Sequence, residues 1–515
     1  MRMIPPRFHS CVSLRIRLLQ LRTWLLSFLV AAHGVEAGTG QGDTEVERIG
    51  EPTAQVIERI EATPQEVREY VIEKLDQAQW ERSRETADEI LINDSEVHWH
   101  RYLRALANTP EWLDIGLAQR LRYEVLTNNF RVGQSENING FSARSRLRVG
   151  VDWKVFRFFV EGQNSAGVDE NNVLASTLNP SLVSGDRLLQ AFVAVKLENV
   201  FNTGLRTDLH LGRMTFDFGS RRLIARNDFR NTTNSFVGAH WNLAQEGRWR
   251  VRSFLVQPVS ETFGVLTPVR DTVFWGVQYE DYRQPWLKTD LYYFGFNQAG
   301  SGSDDQTFGT YGFRLYRSPT PAQFDYENET AFQVGTAGGK NLFAQLVHVD
   351  LGYSFALPWQ PHLQVQYDYA SGTANPAGNS SGTFNTLFGA RNFEYTPTSL
   401  YGPFYRSNIS SPGVRLSLEP RATIGLALKY RAWYLAQSKD AWVGSGLQDP
   451  TGQAGNFLGQ DVELRMDWHW NTFMLFRMGY DHFFKGTYIQ TLAQVPGNPS
   501  AKDSDYFYAQ TELRF

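Results

Sequence analysis

Ten arginines on a single phase carry the first chemical signal in this 515-residue sequence. Arg120, Arg122, Arg144, Arg146, Arg148, Arg157, Arg206, Arg248, Arg250 and Arg252 fall on the polar side of segments that alternate polar with apolar residues, and Asp208 shares that side. Between about residues 270 and 370 acids replace them: Glu280, Asp290, Asp325, Glu327, Glu329 and Asp368. A guanidinium fork matches carboxylates and phosphates. A row of such forks on a narrow, low-dielectric wall would raise the local anion concentration, so the chemistry in prospect is conduction of anions or of a polyanion. The same residues could equally form Arg–carboxylate ladders that fill and stiffen an interior. A pore needs both, and the two readings stand side by side.

Other chemistry is poorly provided for. Gly378-Asn-Ser380-Ser-Gly382 matches a nucleophile elbow in letters only, because it lies in a Gly/Ser/Asn-rich loop without the strand before and helix after that the elbow needs. His98 and His100 share a phase but have no third ligand nearby, so no metal site is expected. No catalytic residue and no cofactor are expected. The formal net charge is −4, which gives no reason to expect nucleic acid as a partner. Only nine of the 50 basic residues are lysine, which underlines the bias to forked cations.

The elements that must position these arginines have a period of two. Leu113, Ile115, Leu117, Leu121, Tyr123 and Val125 alternate with Asp114, Arg120, Arg122 and Glu124, and Phe141, Ala143, Leu147, Val149 and Val151 alternate with the next arginines. Similar runs reach the carboxyl end, where Phe507, Ala509, Thr511, Leu513 and Phe515 oppose Gln510, Glu512 and Arg514. Strand starts are predicted near 113, 139, 155, 186, 204, 233, 248, 270, 286, 306, 322, 341, 360, 410, 421, 456, 471 and 503. Long links (164–186, 219–233, 371–410, 438–456, 487–502) alternate with tight ones such as Trp153-Lys154 and Glu419-Pro-Arg421. That parity suits a transmembrane β-barrel of about 18 antiparallel strands with its long loops outside and its turns in the periplasm. In lipid every strand edge must be paired, so the sheet must close. The mean hydropathy of −0.38 excludes a helical membrane protein but not a barrel, whose strands have one apolar face. Trp249, Trp275, Tyr293, Tyr353, Trp468 and Tyr480 suit interfacial girdles. Trp433 and Tyr292, on the polar phase, offer platforms on which a sugar could stack.

Ahead of the barrel the pattern differs. Arg15, Arg17 and Arg22, the apolar run Trp24 to Ala32 and the small-x-small site Val35-Glu-Ala37 read as an export signal over 1–37, which would carry off the single cysteine, Cys11. Residues 38–110 are expected to form a short helical periplasmic segment, with Val56, Ile57, Ile60, Val67, Val71, Ile72 and Leu75 at helical spacing and Thr63-Pro64-Gln65-Glu66 as a helix start. This segment could contact periplasmic scaffold partners. The barrel is assigned to 111–515.

Three stretches resemble the alginate export family of outer-membrane proteins. They are Pro110-Glu-Trp-Leu-Asp-Ile-Gly-Leu-Ala-Gln-Arg-Leu-Arg-Tyr-Glu124; Leu211 to Ile224, which carries the GR-x4-FG-x-x-RL pattern in Gly212, Arg213, Gly219, Arg222 and Leu223; and Tyr367 to Asn375 with Phe384 to Phe388. The resemblance implies an 18-stranded outer-membrane porin with an Arg-lined aqueous channel through which an anionic polysaccharide such as alginate, or small anions, pass. A terminal aromatic, here Phe515, is what such barrels present to the barrel-assembly machinery. The turns are short in this chain, which leaves loops such as 164–186 and 371–410, or the helical segment, to narrow the pore. A general or anion-selective diffusion porin for small solutes is the alternative.

Overall fold

The computed structural model describes residue 110 and residues 112–514, except 170–181, 184, 260–270, 301–304 and 472. The expected signal peptide, the helical segment up to residue 109 and Phe515 lie outside the described residues. Period-two alternation does produce strands. They run β1 (Leu113–Thr127), β2 (Ile138–Trp153), β3 (Phe156–Asp169), β4 (Gly185–Val200), β5 (Leu205–Met214) and β6 (Phe236–Gln245). Next come β7 (Trp249–Pro258), β8 (Thr272–Gln284), β9 (Leu287–Gln298), β10 (Gln306–Arg317), β11 (Phe324–Ala337) and β12 (Lys340–Ser354). Then follow β13 (His362–Ala370), the two-residue β14 (Ser380–Ser381), β15 (Ile409–Arg421), β16 (Ile424–Tyr434), β17 (Phe457–Asn471), β18 (Met474–Lys485) and β19 (Ser504–Arg514). One short helix, α1 (Thr487–Leu492), sits in the last loop.

Leaving β14 aside, 18 antiparallel strands form a closed barrel. The seam joins first strand to last. Leu121 lies opposite Thr511 of β19 on one side and Ala143 of β2 on the other, so no edge strand is left unpaired there. On β1, Leu117 and Leu121 are 38% and 50% exposed while Arg120 and Arg122 are 2% and 1%. The apolar phase therefore points outward and the charged phase inward, the orientation a bilayer demands. Exposed Phe141, Leu211, Leu291, Phe343, Val365 and Leu464 continue the outer apolar face around the sheet.

The links keep the expected parity with one exception. At one end they are tight, as at 154–155, 246–248 and 422–423; at the other most are long, as at 215–235, 371–408, 435–456 and 486–503. The exception is the long-loop-end link 338–339. Gly338 and Gly339 turn there with φ of +59° and +73°, the left-handed pair a two-residue hairpin needs. The loop after β13 covers that spot, pairing β14 in parallel with Asn341 and Leu342 of β12.

The interior is packed rather than open at the long-loop end. Phe216 and Phe218 of the 215–235 loop pack among Phe236, Phe254, Phe274 and Phe294 from the wall and Phe388 from the 371–408 loop. A second aromatic nest joins Phe130, Tyr401, Phe404, Trp433, Trp442 and Phe483. Each buried phenylalanine stabilises by roughly 1.5–3 kcal/mol. Two loops are thus held inside the barrel by burial of their own aromatics.

Candidate functional site

The two inward loops are joined backbone to backbone. Phe388 N–H donates to Leu223 O (2.9 Å), Ala225 N–H to Phe388 O (3.1 Å) and Ala390 N–H to Arg221 O (2.9 Å). Gly389 lies so near the other loop that a Cβ there would sit 1.8 Å from the carbonyl oxygen of Arg222. Only glycine allows this approach. Where the sequence expectation gave 371–410 a narrowing role, the structure adds 215–235 as its partner.

The arginines of β1 and β2 hold the first loop. Arg120 donates to the carbonyls of Asp228 (2.9 Å), Phe229 (3.1 Å) and Arg230 (2.7 Å) and to Asn231 Oδ1 (3.1 Å). Arg122 reaches Phe229 O at 2.7 Å and Gln510 at 2.9 Å. Arg144 and Arg146 meet the Asp228 carboxylate at 3.3 and 2.6 Å. Burial would raise the Asp228 carboxyl, but the charges of Arg144, Arg146, Arg226 and Arg120 hold it well below the usual carboxylate range. Its side chain is still 41% exposed, so water on the cavity side moderates that effect.

The remaining arginines of the sequence reading take different places. Arg148 is half-buried on β2, and Arg157 pairs with Asp114 (2.5 Å) and Asp152 (3.1 Å). Arg206 pairs with Glu246 (3.0 Å) at the short-turn rim, both well exposed, and Arg248 lies exposed within the turn 246–248. Arg250 pairs with Glu280, while Arg252 lies 3.8 Å over the Phe218 ring. Asp208 accepts from Asn242 (2.7 Å) and contacts His210 (2.8 Å).

Acids face the second loop. Arg222 of the 215–235 loop inserts its guanidinium among Glu327 and Glu329 of β11 and Glu394 of the 371–408 loop, reaching Glu329 at 2.6 Å. Glu327, His348 and Glu394 are close enough to hold a metal ion, but the cation hydrogen-bonded to both glutamates is Arg222. The link between β1 and β2 and the strand wall also grip the 371–408 loop directly. Arg131 donates to Leu400 O (2.7 Å) and Tyr401 O (2.6 Å), and Lys429 to Tyr395 O (2.8 Å). Tyr401 donates in turn to Asp481 at 2.7 Å.

Four further motif residues acquire reasons. Gly212, at φ +133°, faces Gly238 across the ladder, and a Cβ on it would meet Ala191 O at 2.4 Å. Gly219 at φ +48° turns beside Gln278, Arg213 donates to Leu188 O (2.8 Å), and Leu223 is buried in the aromatic core. Trp433 and Tyr292 are no sugar platforms: Trp433 is buried against Phe404 at 3.7 Å and Tyr292 against Phe294 at 4.8 Å.

Beneath the loops lies a cavity of about 1030 Å³, lined from turn residues such as Pro319, Leu357 and Gln360 up to Arg222, Asp228 and Glu394. Of the ten arginines read as one polar phase only Arg120 lines it, together with Glu327, Arg222 of the family motif and Arg514 of the last strand. Arg415, Arg465, Arg477 and Arg514, on β15, β17, β18 and β19, make up its basic wall, with Asp467 and Glu512 among them. Asp325 and Glu327 of β11 and Asp350 of β12 make an acidic one, and His362, Gln364 and Gln366 of β13 lie between. Extending the phase count through the last five strands would have added Arg415, Arg465 and Arg477 to Arg514.

A family model for alginate export matches residues 111–498. No curated protein matches the sequence. Among solved structures, OccAB3 of Acinetobacter baumannii aligns with TM-score 0.54 and 10% identity over 78% of this chain and 99% of that one. OccD3 (OpdP) of Pseudomonas aeruginosa gives 0.52 and 10% over 79% and 91%, and the outer membrane protein OpdK of P. aeruginosa 0.51 and 11% over 78% and 98%. At such identity these likenesses speak for the barrel fold alone.

Proposed function

The chain belongs to the alginate export family and forms a channel in the Gram-negative outer membrane, and on that premise we propose that it carries acidic saccharides of the alginate type along an arginine wall. The observation that carries this reading is the row Arg415, Arg465, Arg477 and Arg514 on one side of the cavity, with Arg120 beside it. Guanidinium groups in a low-dielectric lumen attract carboxylates and pass them between neighbouring forks without holding any one tightly. The arginines of β1 and β2 act one step back, by fixing the loop that bounds the cavity.

A second reading, diffusion of small anionic solutes, has its own support. Docked as they are, loops 215–235 and 371–408 occupy the long-loop end, and a polymer must part them whereas a small solute need only skirt them. Efflux of oligouronates of graded length from liposomes holding the full chain separates the two. Export predicts release of long oligomers. Diffusion predicts a sharp cut-off at the shortest ones. Two parts of the proposal concern residues outside the described ones: Phe515 as the assembly signal, and the segment 38–110 as a docking point for periplasmic scaffold partners. In this reading the protein does no catalysis.

A further inference from the structure

Two charges on the cavity wall, Asp350 and Arg415, form no ion pair among the described residues, although opposite charges (Glu463, Glu394 and Asp350 itself for Arg415, His348 for Asp350) lie farther off. Asp350 is 6% exposed and accepts only from neutral amides, those of Gln364 (3.1 Å) and Gln366 (2.7 Å); it forms no ion pair among the described residues. Arg415 donates through Nη1 to Phe393 O at 3.2 Å, has a buried Nε without a hydrogen-bond partner, and likewise forms no ion pair among the described residues. Other charges on the same wall are matched: Asp325 with His362 (2.9 Å), Arg477 with Asp467 (2.6 Å) and Arg514 with Glu512 (2.9 Å).

The sheet register relates the two unmatched groups. Asp350 lies opposite Gln366, and Gln364 lies opposite Arg415, so β13 forms an amide strip between them. Two strand spacings and a two-residue offset along the strands put their backbones about 12 Å apart, and both side chains line one cavity. Keeping a carboxylate and a guanidinium partly dry without a counter-charge in direct contact costs free energy. A solute bringing both opposite charges, in the same order, offsets that cost at both ends.

We infer that Asp350, Gln364, Gln366 and Arg415 form a binding subsite for a small zwitterion with the character of a short peptide. Its ammonium sits on Asp350, its carboxylate is forked by Arg415, and the Gln364 amide faces the group between. An extended dipeptide spans about 7 Å, which fits the gap once the two side chains reach inward. This is a second solute class, and it does not rest on the acidic-saccharide reading.

Saturation-transfer NMR titrations on the full chain folded in micelles test it, with glycylglycine, N-acetylglycine (anion only), glycinamide (cation only) and glucuronate as probes. Glycylglycine is expected to bind about tenfold more tightly than either single-charge analogue, the worth of one added charge-assisted hydrogen bond. Asp350→Asn should bring glycylglycine down to the N-acetylglycine level, and Arg415→Gln to the glycinamide level. Folding of each variant is checked by the heat-dependent gel mobility of the barrel. The inference is overturned if N-acetylglycine or glucuronate binds the unmodified chain as tightly as glycylglycine, a comparison that needs no variant. It also fails if either folded variant leaves glycylglycine affinity unchanged. Loss of glucuronate binding alone would count against the saccharide reading and leave this one standing.

Discussion

Replacing Gly389 by alanine should open the loop assembly while sparing the barrel. The added Cβ would meet the Arg222 carbonyl oxygen at 1.8 Å and its carbon at 2.5 Å, both backbone atoms that cannot swing aside. Relief requires the loops to separate there, which breaks the three backbone hydrogen bonds around Phe388. At about 0.5–1.5 kcal/mol each, these amount to roughly 2–4 kcal/mol. The gain from a stiffer unfolded chain, about 0.4–1 kcal/mol, is too small to compensate. The docked-to-undocked ratio should therefore fall by about 30- to 800-fold, tenfold for each 1.4 kcal/mol. Because the barrel strands do not depend on this contact, the opening is local. Single-channel recording in planar bilayers should show larger or longer-lived openings for Gly389→Ala, with heat-dependent gel mobility unchanged. Conductance identical to that of the unmodified chain, with the barrel intact, would refute the claim that this backbone approach keeps the loops together.

Three other perturbations probe the same arrangement. Arg222→Leu leaves Glu327, Glu329 and Glu394 without their shared cation, and limited proteolysis should cut the 371–408 loop at lower protease concentrations, in line with a cost of about 3–5 kcal/mol for stranding buried charge. Phe218→Ala removes a ring that packs on Phe216, Phe254 and Phe294, and should weaken loop docking by about 3–5 kcal/mol, read as faster hydrogen exchange at 215–235. Acid titration probes Asp228. Because its carboxyl is held below its unfolded value, its contribution is fully present above about pH 4 and is lost only as pH falls through the lower folded value. Conductance should stay flat from neutral pH down to about 4 and rise below it, and Asp228→Asn should remove that acid transition.

The strands were legible because lipid imposes a simple rule on them. Outward residues must be apolar and inward ones need not be, so alternations such as Leu117-Ala-Gln-Arg120-Leu121-Arg122 give both the strand and its facing. Predicted starts fall within three residues of the observed ones, as at 113, 306 and 471 against Leu113, Gln306 and Met474. The loops obey no such period. Phe216, Phe218, Phe388 and Phe404 are aromatics in segments that should be polar if they lay in water, and that mismatch was the available sign that the loops turn inward. Pairing was harder to foresee. The phase of Arg120 or Arg144 says that it points inward, but not that loop carbonyls more than 80 residues away await it. Nor could period alone separate Arg415, which faces open cavity, from Arg431, which is buried on Asp368.

The reversal potential of the full chain in a planar bilayer under a potassium chloride gradient tests the central claim most directly. Conduction along the wall of Arg415, Arg465, Arg477 and Arg514 predicts a potential of the sign set by chloride, reduced by salt as the charges are screened and moved toward zero when these four arginines are changed to glutamine. A potential set by potassium, or an anion preference untouched by the fourfold change, would contradict it.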